Sequence, residues 1–225
     1  MGKLIAGIDE AGRGAVVGPL VIAGVSIEPE KEAKLKALNV RDSKLIAPAR
    51  RKKLAKVLER IAKDIIIVKI DACRIDTYRK EGVNLNKLEA MRMADVANYL
   101  KADRNYVDSP DVKPSRLKDF LSKLVRHKTE FIVEHKADTK YRVCGAASIM
   151  AKVSRDEEIE KLRKKYGVRG SGYPSDPRTI GWLKELKEKK KEFPDCVRRS
   201  WGTIKDLEKE ENQSKLGKWF GIKRN

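Results

Sequence analysis

Two adjacent carboxylates, Asp9 and Glu10, close an apolar run and lead directly into glycines, in Gly7-Ile8-Asp9-Glu10-Ala11-Gly12-Arg13-Gly14. Successive strand residues point to opposite faces. Both acids can therefore serve one site only where the strand stops and the backbone turns, and glycines at 12 and 14 permit such a turn. Lys3–Asp9 reads as a strand ending in acids, and Leu20–Ile27, built from Leu, Val, Ile, Ala, Gly and Ser, as a second, buried strand. Between them, Gly12, Gly14, Gly18 and Pro19 predict tight, unusual backbone.

Farther along, Pro48–Lys63 carries Leu54, Val57, Leu58 and Ile61 on one helical stripe, with Pro48 suited to a first turn. Strands are expected at Asp64–Ile70, ending at Tyr106–Asp108, and at Thr129–Glu134. Helices are expected at Leu85–Lys101, Leu117–His127, Arg142–Tyr166, Thr179–Lys191 and Gly202–Glu210. Three strands come early, strands then alternate with helices, and helices finish the chain. That order predicts an α/β fold, a mixed sheet with a helical C-terminal extension. No internal repeat is visible, and the one low-complexity stretch, Lys184–Glu192, reads as a solvated helix face.

The chain has 225 residues, with 52 Lys and Arg against 33 Asp and Glu, a net charge of +19. Such a surplus attracts polyanions, nucleic acid foremost. A Lys- and Glu-rich thermophile surface is the blander account, and a single glutamine, Gln213, agrees with it. Thermophile enrichment adds both signs, however, and leaves the imbalance unexplained. Cys73, Cys144 and Cys196 are far apart and form no CxxC pair, which argues against a disulfide framework or a zinc site. No signal peptide or bilayer-length apolar run is seen, so a soluble, cytoplasmic protein is expected.

Asp108 follows apolar Tyr106-Val107 and precedes Ser109-Pro110, while Asp138 follows Phe131-Ile132-Val133 and stands before a long helix. Strand ends are where chemistry gathers in open α/β sheets. Oxygen ligands without His or Cys suit Mg²⁺ or Mn²⁺, and two such ions serve phosphodiester hydrolysis. Any one of these acids alone would read as an ordinary surface residue, and Asp71, Asp76, Asp95 and Asp103 read as surface or capping residues; geometry by itself leaves both readings of the combination open.

The wider pattern decides between these. The first motif with Gly18-Pro19-Leu20, then Asp42-Ser43-Lys44, Val107-Asp108-Ser109-Pro110, Glu134-His135-Lys136-Ala137-Asp138, Ala146-Ala147-Ser148-Ile149-Met150-Ala151-Lys152 and Gly170-Ser171-Gly172-Tyr173-Pro174-Ser175-Asp176-Pro177 fall in one order. Together they resemble ribonuclease HII, most closely its single-chain archaeal form, over residues 3 to 204. Ala11 and Arg13 favour type 2 over type 3, and Gly145 replaces a usual alanine with no functional consequence expected beyond helix propensity.

The resemblance implies a ribonuclease H-like five-stranded mixed sheet flanked by helices. It implies that Asp9, Glu10, Asp108 and Asp138 are catalytic metal ligands for two Mg²⁺ or Mn²⁺ ions, with Asp9 expected to bridge them. It implies endonucleolytic cleavage of RNA in RNA–DNA hybrids, and cleavage 5′ to ribonucleotides embedded in duplex DNA, leaving 3′-hydroxyl and 5′-phosphate ends. Gly12, Arg13 and Gly14 would inspect the 2′-hydroxyl, Lys44 a phosphate, and Tyr173 the sugar after the ribonucleotide. From sequence alone, Tyr173 reads first as a loop anchor and Lys44 as a surface lysine before a helix; Lys152, one turn from Ser148, is a secondary phosphate candidate, and the small residues at 145–148 read as letting the helix pack closely on the sheet. His127 and His135 read as structural.

Near the C-terminus, Gln213, Leu216, Trp219 and Phe220 match the spacing of a sliding-clamp-binding box; a tail folded onto the core is the alternative. The expected organisation is a catalytic domain over 1–170, a substrate-binding helical region over 171–210 and a tail over 211–225, in a monomer. A non-catalytic hybrid-binding subunit and a DNA nuclease on the same fold are the competing readings. All four acids are present, which disfavours the first, and the Gly-Arg-Gly turn with Tyr173 disfavours the second.

Overall fold

A computed structural model describes residues 3–40 and 46–209. Five strands form one sheet: β1 (Ile5–Ala11), β2 (Leu20–Ile27), β3 (Asp64–Ile70), β4 (Arg104–Asp108) and β5 (Glu130–Glu134), in the order β3-β2-β1-β4-β5. β1 to β3 form an antiparallel meander, while β4 and β5 run parallel to β1. The mixed sheet expected from sequence is thus observed. Every residue of β2 is buried, because the strand has neighbours on both edges and helices on both faces.

One face is covered by α4 (Leu85–Leu100) and α5 (Pro114–Leu124), which bury Leu88, Met93, Val96, Leu117 and Leu121 against Ile8, Ile22 and Val107. The other is covered by α7 (Arg142–Tyr166), with α1 (Glu32–Ala37) and α2 (Pro48–Ile61) packed beside it. The first half of α7 is small: Cys144, Gly145, Ala146, Ala147 and Ser148 are all buried, so the helix lies close on β1 and β2. Gly7 makes that closeness possible, since a Cβ there would collide with the backbone of Val143 and Cys144. Gly24 does the same on the opposite face, beneath Val96 and Leu100 of α4. α7 ends at Gly167, whose φ of 68° gives the left-handed C-cap that other residues resist.

Three helices escape the sequence pattern: α1, α3 (Ala72–Lys80) and the four-residue α6 (Ala137–Lys140). Each is short, and the sequence of α3, ACRIDTYRK, has too weak an apolar stripe to register. α5 starts and stops three residues ahead of the expected Leu117–His127, because Pro114 supplies its first turn. A further helical run spans 202–209, and α8 covers Pro177–Glu188. A third core cluster joins Val16 and Val17 to Val168, Trp182, Leu183, Val197, Ile204 and Leu207. The C-terminal segment therefore packs directly on the loop that follows β1.

Two expectations are corrected by packing. Asp76 is buried rather than on the surface; its carboxylate accepts from the amides of Arg199 and Ser200 and from the Ser200 hydroxyl at 2.5–3.1 Å. Gly145 is more than a helix-propensity substitution, because a Cβ there would strike the carbonyl oxygen of Val40. No described helix is long and apolar enough to cross a membrane.

Candidate active site

β1 carries its alternation through both acids, since the strand continues to Ala11. Asp9 stands opposite Ala23, in the cluster beneath α7, and Glu10 opposite Ile22, in the cluster beneath α4. The turn expected right after Asp9 thus comes two residues later, and the adjacent acids leave the strand towards opposite faces. Asp108 lies one residue beyond the parallel pair Ile8–Val107, beside Asp9. Asp138 is delivered by α6, whose Ala137 amide donates to the Asp108 carboxylate at 2.9 Å.

Asp9, Asp108 and Asp138 each offer a carboxylate oxygen within 4.8 Å of the others. Asp9 and Asp138 are nearly inaccessible, at 3% and 4% exposure. Burial, then the neighbouring Asp108, raises the Asp9 carboxyl to about 7, although the Lys152 charge and a hydrogen bond from Ser148 oppose the shift. Lys152 in turn donates to Ser148 at 2.5 Å, so both stand close to Asp9. Glu10 lies outside this triplet but is electrostatically tied to it: burial, then Asp9, Glu89 and Asp108, push its carboxyl well upward. Its Oε2 is buried without a hydrogen-bond partner. Desolvated, mutually repelling oxygen donors with one acceptor unsatisfied fit a hard divalent cation.

The glycine turn abuts these acids. Arg13 sends its guanidinium to α4, where it meets Glu89 at 2.9 Å and Asn86 at 2.5 Å. Burial raises the fully enclosed Glu89 to about 7, against the pull of Arg13. The Arg13 side chain is engaged in this way while still 37% exposed, and Gly14 beside it is exposed. Gly12 has a φ of 84°, and a Cβ there would lie 2.5 Å from Nε of Arg155. Gly14 differs: its Cβ position is open, with no atom within 4 Å.

Tyr173 accepts from the Gly12 amide through its hydroxyl at 3.1 Å, with the Arg155 guanidinium 4.5 Å from its ring centre. The flanking arginines are engaged elsewhere: Arg178 with Asp176 and Arg169 with Glu185. His135 lies 3.3 and 3.4 Å from the carbonyls of Ser109 and Val112, in keeping with a structural role. Lys44 and the tail residues Gln213, Leu216, Trp219 and Phe220 lie outside the described residues.

Sequence reading overlooked Glu89, Asn86, Arg155 and Arg198. The last two are buried arginines within charged stretches, Ser154-Arg155-Asp156 and Val197-Arg198-Arg199, where nothing marks one arginine as internal.

Clustered oxygen donors at the ends of parallel strands, on a chain of net charge +19, define a divalent-metal hydrolase of polyanions. The family model described as "Ribonuclease HII" matches residues 6–204. The chain belongs to the ribonuclease HII family. It is 44% identical to ribonuclease HII of Pyrococcus furiosus over 222 residues, covering 96% of this chain and 98% of the relative. The crystal structure of ribonuclease H2 from Pyrococcus horikoshii OT3 superposes with a TM-score of 0.86 at 42% identity, over 93% of this chain and 99% of that one. The RNase HII in a PCNA:RNase HII complex from Archaeoglobus fulgidus gives 0.82 at 42% identity, over 88% and 95%. The ribonuclease H-like architecture expected from the motifs is therefore the observed one.

Proposed function

We propose that this endoribonuclease, which acts on RNA in RNA–DNA hybrids and on ribonucleotides within DNA, places its chemistry at Asp9, Glu10, Asp108 and Asp138 and its sugar recognition at Gly12-Arg13-Gly14. The observation that carries this reading is the carboxylate triplet, with its oxygens within 4.8 Å, a few residues from a turn anchored by Tyr173. The four acids would hold two divalent ions, Mg²⁺ or Mn²⁺, with Asp9 central. Bound ions would activate water and neutralise charge on the leaving oxygen. Water oxygen bonds to phosphorus, the bond to the 3′-oxygen breaks, and that oxygen takes a proton. The products are a 3′-hydroxyl and a 5′-phosphate.

Recognition falls to the backbone. Among the described residues, the amides of Arg13 and Gly14 donate to no protein acceptor, so both can meet a 2′-hydroxyl. Tyr173 would hold the turn and pack on the next sugar, and Lys44 would meet a phosphate. Residues 1–170 would form the catalytic unit, and 171–210 would shape the substrate surface. In the tail, Gln213, Leu216, Trp219 and Phe220 would engage a sliding clamp, a reading supported by the PCNA complex of the Archaeoglobus fulgidus relative. The enzyme would act as a cytoplasmic monomer.

The test is a DNA duplex with one embedded ribonucleotide, incubated with Mg²⁺. A single cut 5′ to the ribonucleotide, lost in Asp9→Asn, is expected. No cut, or a cut indifferent to Asp9→Asn, overturns the reading.

A further inference from the structure

Arg198 is fully enclosed, and its guanidinium faces the glycine turn from behind. It donates to the carbonyls of Gly12 at 2.7 Å, Arg13 at 2.9 Å and Gly18 at 3.1 Å. In a trans peptide the N–H points opposite to the C=O. Fixing the Gly12 and Arg13 carbonyls inward therefore turns the amides of Arg13 and Gly14 outward. Within the turn, those two amides donate to no acceptor among the described residues. Arg198 is itself held in place: its amide donates to Val16, Val197 bridges Val17, and Asp76 of α3 grips Arg199 and Ser200.

We propose that Arg198 is the positioning residue that aims the ribose-reading turn, so that the C-terminal segment sets discrimination between ribose and deoxyribose. This rests on the reading above that the Arg13 and Gly14 amides meet the 2′-hydroxyl. Being fully enclosed, Arg198 would act through the turn and not by touching substrate. A planar guanidinium spans three carbonyls at once, whereas a lysine ammonium is a point donor on a flexible stem. Arg198→Lys keeps the charge but not the geometry.

The test measures binding of uncut duplex in Ca²⁺, by fluorescence anisotropy, for DNA with one ribonucleotide and for the same all-DNA duplex. The affinity ratio reports discrimination without turnover. Arg198→Lys is expected to lower that ratio roughly tenfold, with all-DNA affinity changing about twofold or less. A ratio equal to wild type, including the case where both affinities fall together with the melting temperature, overturns the proposal. Should Arg198→Lys fail to fold, Asp76→Asn loosens the same segment from α3 and is expected to lower the ratio several-fold; an unchanged ratio there overturns it equally. Gly14→Ala separates the two claims. If Gly14→Ala leaves the ratio intact, the sugar-reading turn itself is wrong and the proposal falls with it. If Gly14→Ala lowers the ratio and Arg198→Lys does not, Arg198 alone is wrong.

Discussion

Tyr173 and Gly12 are joined by one hydrogen bond, amide to phenol oxygen, at 3.1 Å across 161 positions of chain. Stacking on substrate and anchoring a loop were both open roles for this tyrosine in the sequence; the bond ties its hydroxyl to the turn and leaves the role of its ring to experiment. Tyr173→Phe keeps the ring over which Arg155 sits but strips the Gly12 amide of its acceptor. We expect kcat/KM on an embedded-ribonucleotide duplex to fall about 3- to 10-fold in Tyr173→Phe. Tyr173→Ala should fall about tenfold further, because ring and hydroxyl both go. A wild-type kcat/KM for Tyr173→Phe would show that the hydroxyl contributes nothing to the turn.

The two glycines of the turn should respond differently. Gly12→Ala puts a Cβ against Arg155 and the Pro19 carbonyl at a φ of 84°, and should cost about 1–3 kcal/mol of stability. Gly14→Ala meets no protein atom and should melt like wild type, yet lose activity where the sugar must approach. Thermal melting beside single-ribonucleotide cleavage checks both; equal losses of stability would contradict the distinction.

Asp9→Asn should reduce Mg²⁺-dependent cleavage by at least about a hundredfold, because it removes a buried oxygen ligand. The same change should raise the melting temperature of the metal-free protein, since it removes a desolvated charge beside Asp108 and Glu10. Calorimetry in chelator is the measurement, and a lowered melting temperature would count against mutual repulsion.

Stability of the metal-free enzyme should depend on pH in a direction opposite to ordinary acid denaturation. Asp9 has its carboxyl raised from 3.8 to about 7 by burial, so the folded state binds more protons than the unfolded chain between those values. Its contribution is whole below pH about 4 and is lost as pH rises through about 7. Glu89, raised by burial to about 7, acts in the same sense. Melting temperature in chelator should fall by several degrees from pH 5 to pH 8, and saturating Mg²⁺ should offset the fall. A flat profile in chelator would contradict the assignment.

Gly145→Ala tests the packing of α7. Helix propensity alone favours alanine by about 1 kcal/mol. The Val40 carbonyl in the way predicts the opposite, a lower melting temperature.

The sequence made the sheet legible because β1, β2 and β3 are apolar runs bounded by glycine, proline or acids. Asp9, Asp108 and Asp138 were legible because each closes or follows such a run. What stayed hidden depends on contacts between distant segments. The face taken by Glu10 depends on where β1 ends, which no local signal sets to within two residues. Arg155, Arg198 and Asp76 are charged residues that periodicity assigns to solvent; they are internal because each finds its partner more than ten positions away. Only the partners disclose the burial.

The turn that follows β1 is held by Tyr173 and Arg198, which bond Gly12 across 161 and 186 positions. All four acids lie within the first 138 residues. On the ribosome, the acids therefore emerge well before the groups that lock the turn, and loop closures this long are slow steps. A nascent chain would thus expose all four carboxylates about sixty positions of synthesis before Arg198, the residue proposed to aim the turn, can take its place.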